Sequence, residues 1–314
     1  MLSVVVVPCF QRPEFLAATL SRVAMARGAE DMLYLFSLDR DHDPRVVEVI
    51  NELMPSDRFQ RRIAKRKHEY RGTAYNFMET YRDAYLCKSE IVYTIEDDIL
   101  VSEDYFEFHE AAHELDDEAV CVSACRNQNL GRKIEPTESF FSDIDYARTK
   151  KLHDTGDLSA VYRHISYQSI GVSMKTDLMC AFLEHACRAY YDNQIDYCTR
   201  VLNDPDLPAG AASQDGLIHR VMRKNLWWTI YPFVPRAYHA GFVGFNRRNG
   251  RHLAMPWREG MERILEMSER EMNAAADPEF ADIEQCELAR SAPAELRVVE
   301  LPSSMSTRAE KRTL

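Results

Sequence analysis

The stretch IVYTIEDDILVSEDYFEFHEAA, residues 91–112, places three consecutive acids between an apolar strand-like run and an aromatic helix-like run. Glu96, Asp97 and Asp98 sit where a buried strand would not accept three like charges. We therefore expect them where the strand leaves its sheet, just before Ser102 opens the next helix. In a parallel α/β sheet, that carboxyl end is where ligands bind.

The chain before this stretch alternates strand-like and helix-like segments. In order they read SVVVVP, PEFLAATLSRVAMA, MLYLFSLD, PRVVEVINELM, FQRRIAKRKHE, GTAYNFMETYRDAYL and EIVYTIE. Pro13 stands at the first position of the first helix, where its missing N–H costs nothing. The alternation predicts an α/β fold with a mostly parallel central sheet and helices on both faces.

Composition narrows the class of protein. The 314 residues are 46% apolar, which is enough for a sizeable core, and the formal net charge of −11 argues against indiscriminate binding to nucleic acid or anionic membranes. The eight cysteines contain no Cys-x-x-Cys pair, so we expect reduced, mostly buried thiols. With no signal peptide and no membrane-length apolar run, a soluble and, for a complete chain, cytoplasmic protein is expected.

The acidic triplet has two interpretations. Carboxylates that cluster at a strand end repel one another unless a cation compensates them, and Mg²⁺ or Mn²⁺ commonly bridges one or two carboxylates to substrate phosphates. The alternative is a solvated acidic turn that favours the start of the following helix.

Polar residues at the other strand ends favour a nucleotide. PCFQRPEFL follows the first strand, SLDRDHD ends the second, and RGTAYN opens the third helix. A nucleoside diphosphate needs a carboxylate or amide for its base and ribose, cationic groups near its phosphates, and a metal. All three types of residue occur at successive strand ends.

These segments resemble a known family. PCFQRPEFLAATL resembles the opening of nucleotide-sugar glycosyltransferases with the GT-A fold, a Rossmann-like α/β fold. SLDRDHD falls where that fold has its base-reading acid, and YTIEDDILVSEDYFEF is similar to the Glu-Asp-Asp segment of the N-acetylglucosaminyltransferase I family. Further segments keep the family's order as far as about Gly250; they are SIGVSMKTDLMCAFL, ASQDGLIHRVMRKNL and IYPFVPRAYHAGFVG.

The resemblance implies roles for the residues at the first strand ends. Asp98 would coordinate the metal, Asp97 would contact the donor ribose or sugar, and Glu96 would support them or reach the sugar. Arg12 would lie near the diphosphate or uracil. Asp39 would hydrogen-bond the base, although it is also suited to capping the helix that follows.

Three further roles come from the resemblance. Asn76 would line the donor pocket, Asp215 matches the catalytic base, and His239 falls near a C-terminal metal or phosphate ligand. Asp215 is equally a helix-start acid, and His239 is equally a buried structural histidine. The chain departs from the family where a serine and a glutamine precede Asp215 in place of an aromatic residue, and where Gln11 replaces the usual asparagine.

The resemblance therefore implies a metal-dependent inverting glycosyltransferase, either a hexosyl- or an N-acetylhexosaminyltransferase. Its cofactor would be Mn²⁺ or Mg²⁺, its donor a UDP-sugar, with UDP-linked N-acetylhexosamine favoured, and its acceptor a glycan or other hydroxyl. Residues 1–125 would form the nucleotide-sugar-binding half, 126–255 the acceptor-binding half, and 256–314 C-terminal helices and a polar tail.

Other functions remain open from the sequence. GFNRRNGRHLAMPWR, residues 244–258, combines basic residues with Trp257, which suits either a loop over the donor or DNA carrying a modified base as acceptor. A sugar-phosphate nucleotidyltransferase uses a related sheet but opens with a Gly-rich phosphate loop, which SVVVVPCFQRPE lacks. A non-catalytic binding protein of the GT-A fold is the third alternative.

Overall fold

The computed structural model describes residues 3–66, 73–125, 157–204, 207, 209, 211–241, 255–267, 271–272 and 295–299. Most of the predicted basic loop and polar tail, and the start of the predicted acceptor half, lie outside these residues, so the division into halves stays a prediction. No helix in the described part of the chain is long and apolar enough to cross a membrane.

The described strands form one large sheet and one small sheet. Their bounds are β1 Val4–Cys9, β2 Leu33–Leu38, β3 Gln60–Lys65, β4 Ile91–Thr94, β5 Ile99–Val101, β6 Cys121–Ser123, β7 Ala160–His164, β8 Val172–Lys175, β9 Thr229–Pro232, β10 Ala237–His239 and β11 Arg297–Val298.

The described helices surround the large sheet. Their bounds are α1 Pro13–Val23, α2 Arg45–Leu53, α3 Thr73–Leu86, α4 Tyr105–Leu115, α5 Thr176–Leu183, α6 Arg188–Asp192, α7 Gln194–Val201, α8 Gln214–Asn225 and α9 Trp257–Glu266, with a 3₁₀ turn at Ala29–Asp31. The predicted helix QDGLIHRVMRKN is confirmed residue for residue as α8.

The nine-stranded sheet has the order β11-β7-β9-β6-β8-β4-β1-β2-β3. Among the described strands, five of the eight neighbouring pairs run parallel, so the predicted mostly parallel sheet is confirmed. The sequence did not predict that β8 runs antiparallel to both of its neighbours, β4 and β6. Because β8 is reversed, the loop that precedes it lies at the same edge as the carboxyl end of β4.

Buried side chains on the two faces of the sheet form two separate cores. Along β1, Val4 and Val6 belong to the core shared with α3, α5 and α8, whereas Val5 and Val7 belong to the core shared with α1, α2 and α4. A strand covered on both faces must be apolar throughout, because successive side chains point to opposite faces. This explains the run of valines and confirms the predicted helices on both faces.

The small sheet joins two segments that are far apart in the sequence. Strand β5 begins directly after Asp98 and pairs antiparallel with β10, with Ile99 opposite His239.

A polar cluster next to this sheet is centred on the buried residues Arg236 and Asp104. The Arg236 guanidinium lies 3.5 Å from Asp104 Oδ2 and donates to the carbonyl oxygens of Val234 and Leu158. It also lies 4.5 Å above the ring of Phe108.

We predict that Arg236→Met lowers the free energy of unfolding by roughly 3–5 kcal/mol, because removing one partner leaves a buried charge on Asp104. Urea unfolding measures the change. Arg27→Met, which breaks an exposed pair with Glu107, is the control and should cost about 1 kcal/mol or less. If the two variants lost equal amounts of stability, Arg236 would not be stabilising a buried charge on Asp104.

Candidate active site

The acidic triplet is buried at the carboxyl edge of the sheet. The Ile95 N–H still donates to Val6 O, so the chain leaves the sheet only after that residue. Asp97 and Asp98 are 4% and 2% exposed, and Glu96 is half-buried. Burial of this kind excludes a solvated turn, because ionised carboxylates removed from water must be compensated.

Arg12 supplies much of that compensation. Its Nη1 lies 2.6 Å from Asp98 Oδ2, and its Nη2 pairs with Asp97 Oδ1. Burial alone would lower the pKa of Arg12, but the two carboxylates raise it, so the guanidinium is a permanent cation. The Phe10 N–H is 3.4 Å from Asp97 Oδ2 and gives that carboxylate a second donor.

His239 reaches the same carboxylate from the other half of the sequence. Pairing of β5 with β10 and a 2.7 Å bond from the Ala240 N–H to Asp98 O bring its Nε2 within 3.0 Å of Asp98 Oδ2. Burial favours a raised pKa for Asp98, but Arg12 and His239 lower it below its ordinary value, so this carboxylate is ionised. Its Oδ1 is buried and has no hydrogen-bond partner among the described residues.

Gly241 allows this approach. A Cβ at this position would lie 2.1 Å from Asp98 Oδ2 and 2.8 Å from two ring atoms of His239. A side chain at this position would therefore displace Asp98 Oδ2 or the His239 ring from their present contact.

A second pair of acids meets next to the triplet. Ser169, in the loop before β8, places its Oγ 2.5 Å from Glu96 Oε1 and 3.3 Å from Asp215 Oδ2. Burial, followed by the charges of Asp98 and Asp215, raises the pKa of Glu96 to about 8. Burial likewise raises the pKa of Asp215 to about 6, and its Oδ1 is enclosed with no partner among the described residues. Burial therefore makes both carboxyl groups harder to ionise than ordinary side-chain carboxyl groups.

Ser169 was not identified from the sequence. It opens the stretch SIGVSMKTDLMCAFL, and nothing in its type distinguishes it from the other serines. The available signal is its position: once β8 is known to run antiparallel to β4, the residues just before β8 must face those just after β4.

The remaining predicted residues form a neighbouring cluster at the end of β2. Asp39 is 6% exposed and its Oδ1 accepts from the Arg40 N–H. The Asn76 amide is engaged on both sides by Ser37, whose Oγ donates to it at 2.6 Å and whose carbonyl accepts from it at 3.1 Å. Arg66 Nε in turn donates to Ser37 Oγ.

The structure thus brings Arg12, Asp97, Asp98 and His239 into direct contact and joins Asp215 to Glu96 through Ser169. In the part of the chain that is described, no group of three or more His, Cys, Asp or Glu side chains is arranged to hold a metal ion by itself. The roles predicted for the individual residues stay predictions.

No family model matches the chain and no curated protein matches it. Among solved structures, it is similar to a mannosyltransferase, PcManGT from Pyrobaculum calidifontis, in complex with GDP-Man and Mn²⁺, at 14% identity over 90% of this chain and 67% of that one, with a TM-score of 0.44. S. aureus TarS 1–349 in complex with UDP matches at 11% identity, 88% and 67% coverage and a TM-score of 0.43. Mouse xyloside xylosyltransferase 1, apo form, matches at 10% identity, 73% and 84% coverage and a TM-score of 0.40.

We predict that Asp215→Asn stabilises the protein at pH 7.5. The folded-state pKa of Asp215 is raised to about 6 from 3.8, so its ionisation costs stability progressively between those values and fully above pH 6. Because Asp215 is half-buried, we expect a gain of roughly 1–3 kcal/mol at pH 7.5 that shrinks towards pH 5. Urea unfolding at both pH values measures it.

The exposed Asp196→Asn variant, which breaks an ion pair within α7, serves as the matched control and should not become more stable. If Asp215→Asn were only as stable as the parent protein at pH 7.5, burial would not be penalising the ionised carboxylate of Asp215.

Proposed function

We propose that the chain is a metal-dependent glycosyltransferase that moves a sugar from a nucleotide-diphosphate sugar to an acceptor hydroxyl with inversion. One observation carries this proposal. At the carboxyl edge of the sheet, buried Asp98 pairs with half-buried His239 and keeps one carboxylate oxygen unpartnered among the described residues, while Ser169 links neighbouring Glu96 to Asp215, whose pKa is raised to about 6. Donor activation and acceptor deprotonation need these two kinds of group side by side.

The residues fit a divalent cation. Asp98 and His239 would hold it, and the enclosed Asp98 Oδ1 is a buried acceptor that lacks a donor among the described residues. Two protein ligands suffice for an ion that shares its remaining positions with substrate phosphates and water. Carboxylate, phosphate and water oxygens suit both Mn²⁺ and Mg²⁺. When bound, the ion would neutralise charge that develops on the departing diphosphate.

The donor nucleotide would occupy the ends of β1 and β2. Arg12 is the cation nearest the acids and is suited to a phosphate, while the buried carboxylate of Asp39 is suited to the base. Asn76 would act on the pocket through Ser37, to which its amide is bonded. The preference for a UDP-sugar, and for an N-acetylhexosamine, rests on the resemblance of the sequence segments alone.

Asp215 would act as the general base. As the acceptor oxygen bonds to the anomeric carbon, the bond from that carbon to the diphosphate breaks, and the acceptor proton passes to a carboxylate oxygen of Asp215. A single displacement inverts the configuration at that carbon. Glu96, whose pKa burial raises to about 8, would accept the hydrogen bond of Ser169 and, in its protonated form, offer a hydrogen-bond donor to the sugar.

The alternative of DNA as acceptor loses support. Trp257, the aromatic residue on which it relied, is 5% exposed and packs into the core beneath α1 and α2. Arg258 pairs with Glu52. The rest of the basic stretch lies outside the described residues, and no observation here favours nucleic acid over another acceptor.

We predict metal-dependent nucleotide binding that requires Asp98. Calorimetric titration with UDP, GDP, UDP-GlcNAc and UDP-glucose, each with and without Mn²⁺, should show one nucleotide binding tightly only with the ion. Asp98→Asn should lose that dependence because it removes the anionic ligand.

Asp196→Asn, an exposed aspartate on α7, is the matched control and should bind as the parent protein does. Absence of binding for every nucleotide, with and without metal, would refute the proposed function.

We also predict that the acidic limb of the rate against pH follows Asp215. Release of nucleotide from the donor, with water as acceptor, should rise through about pH 6 as the carboxylate ionises. Asp215→Asn should lower the rate roughly 10²- to 10⁴-fold at pH 7.5. Unchanged nucleotide affinity in that variant would show that the loss lies in the chemistry, whereas an unchanged rate would exclude Asp215 as the base.

A further inference from the structure

Arg12 pairs with the carboxylate that would hold a metal ion at this site, through Asp98 Oδ2 and not through the enclosed Oδ1. Its guanidinium spans Asp97 and Asp98, ending 2.6 Å from Asp98 Oδ2, which is also the oxygen 3.0 Å from His239 Nε2. The side chains of Asp97 and Asp98 are 6% and 3% exposed, and that of Arg12 is 21% exposed. The arginine is therefore more exposed than the two carboxylates with which it pairs.

A divalent cation held by Asp98 and His239 would lie close to this guanidinium. Two cations a few ångströms apart in a site with little water repel strongly, because the dielectric screening there is weak. Each also satisfies the acids that the other would satisfy. Arg12 in its present position and a bound metal ion are therefore mutually unfavourable.

Arg12 holds the acids through its guanidinium. Its backbone immediately precedes Pro13 at the start of α1, and the guanidinium also lies 5.6 Å from the centroid of the Phe15 ring. Asp97 retains the N–H of Phe10 as a donor when Arg12 moves. A diphosphate offers the guanidinium other anionic oxygens in the geometry that arginine prefers.

We propose that Arg12 is a resident counterion that competes with the divalent cation for Asp98, and that the donor diphosphate relieves this competition by drawing the guanidinium to its phosphates. This inference rests on the proposed function. Metal and nucleotide then bind with positive coupling, and each raises the affinity for the other by the same factor. In the absence of nucleotide, the site binds metal weakly because its own arginine blocks it.

The test is a titration with Mn²⁺ alone, in which the electron paramagnetic resonance signal of the free ion reports how much is bound. Arg12→Met should bind Mn²⁺ without nucleotide at least about 5-fold more tightly than the parent protein, the lower end of typical coupling between two sites. The further gain in Mn²⁺ affinity on addition of UDP or GDP should shrink in this variant. Asp98→Asn combined with Arg12→Met should remove the tighter binding.

Two further variants serve as controls for the effect of Arg12→Met. Arg27→Met removes an exposed arginine paired with Glu107 and should leave Mn²⁺ affinity unchanged. Arg12→Lys keeps the charge but cannot span two carboxylates, so it should bind Mn²⁺ with intermediate affinity. It replaces Arg12→Met if the loss of charge prevents folding.

The outcomes separate this inference from the proposed function. If neither variant at position 12 binds Mn²⁺ alone more tightly than the parent protein, the competition does not exist, even if the parent protein binds a nucleotide with Mn²⁺. If the parent protein binds no nucleotide under any condition, the proposed function fails, while tighter Mn²⁺ binding by the variants still supports the competition at Asp98.

Discussion

Burial of negative charge at one edge of the sheet is the constraint on which the site depends. Asp97 and Asp98 are held out of water; Arg12 contacts both and His239 contacts Asp98. Burial raises the pKa of Asp97, whereas Arg12 and His239 hold the pKa of Asp98 below its ordinary value. Such a cluster is costly for an isolated turn and useful for a cation site, because the same desolvation that penalises the carboxylates strengthens their attraction to a cation. The surrounding architecture keeps these groups together.

That architecture joins parts of the chain that are distant in sequence. His239 is brought to Asp98 by two antiparallel strands of three residues each, and Gly241 leaves the space in which the two side chains meet. The reversed strand β8 does the same for Ser169, because its start lies beside the end of β4. Polar groups from distant parts of the sequence therefore meet at one edge of the sheet.

Several carboxyl groups at this edge of the sheet are costly to bury in their ionised form. Asp215 and Asp98 each have an enclosed carboxylate oxygen without a partner among the described residues, and the pKa values of Glu96 and Asp215 are raised by burial. Away from these groups the buried arginine Arg236 is satisfied by a carboxylate and two carbonyl oxygens. Unpartnered polar atoms also occur elsewhere among the described residues, but Asp98 and Asp215 are the two candidate acids that carry them.

The sequence by itself determined the class of fold and most of the candidate residues, because strand and helix periodicity and the order of polar strand ends are local properties. It indicated helix α8 and the position of the acidic triplet after β4. It did not reveal the antiparallel direction of β8, the contacts made by Ser169, or the fact that Arg12 would hold Asp97 and Asp98. Those features depend on which distant segments pack side by side, and that is decided only when the whole sheet forms, since the energy of a buried charge depends on neighbours contributed by the entire chain.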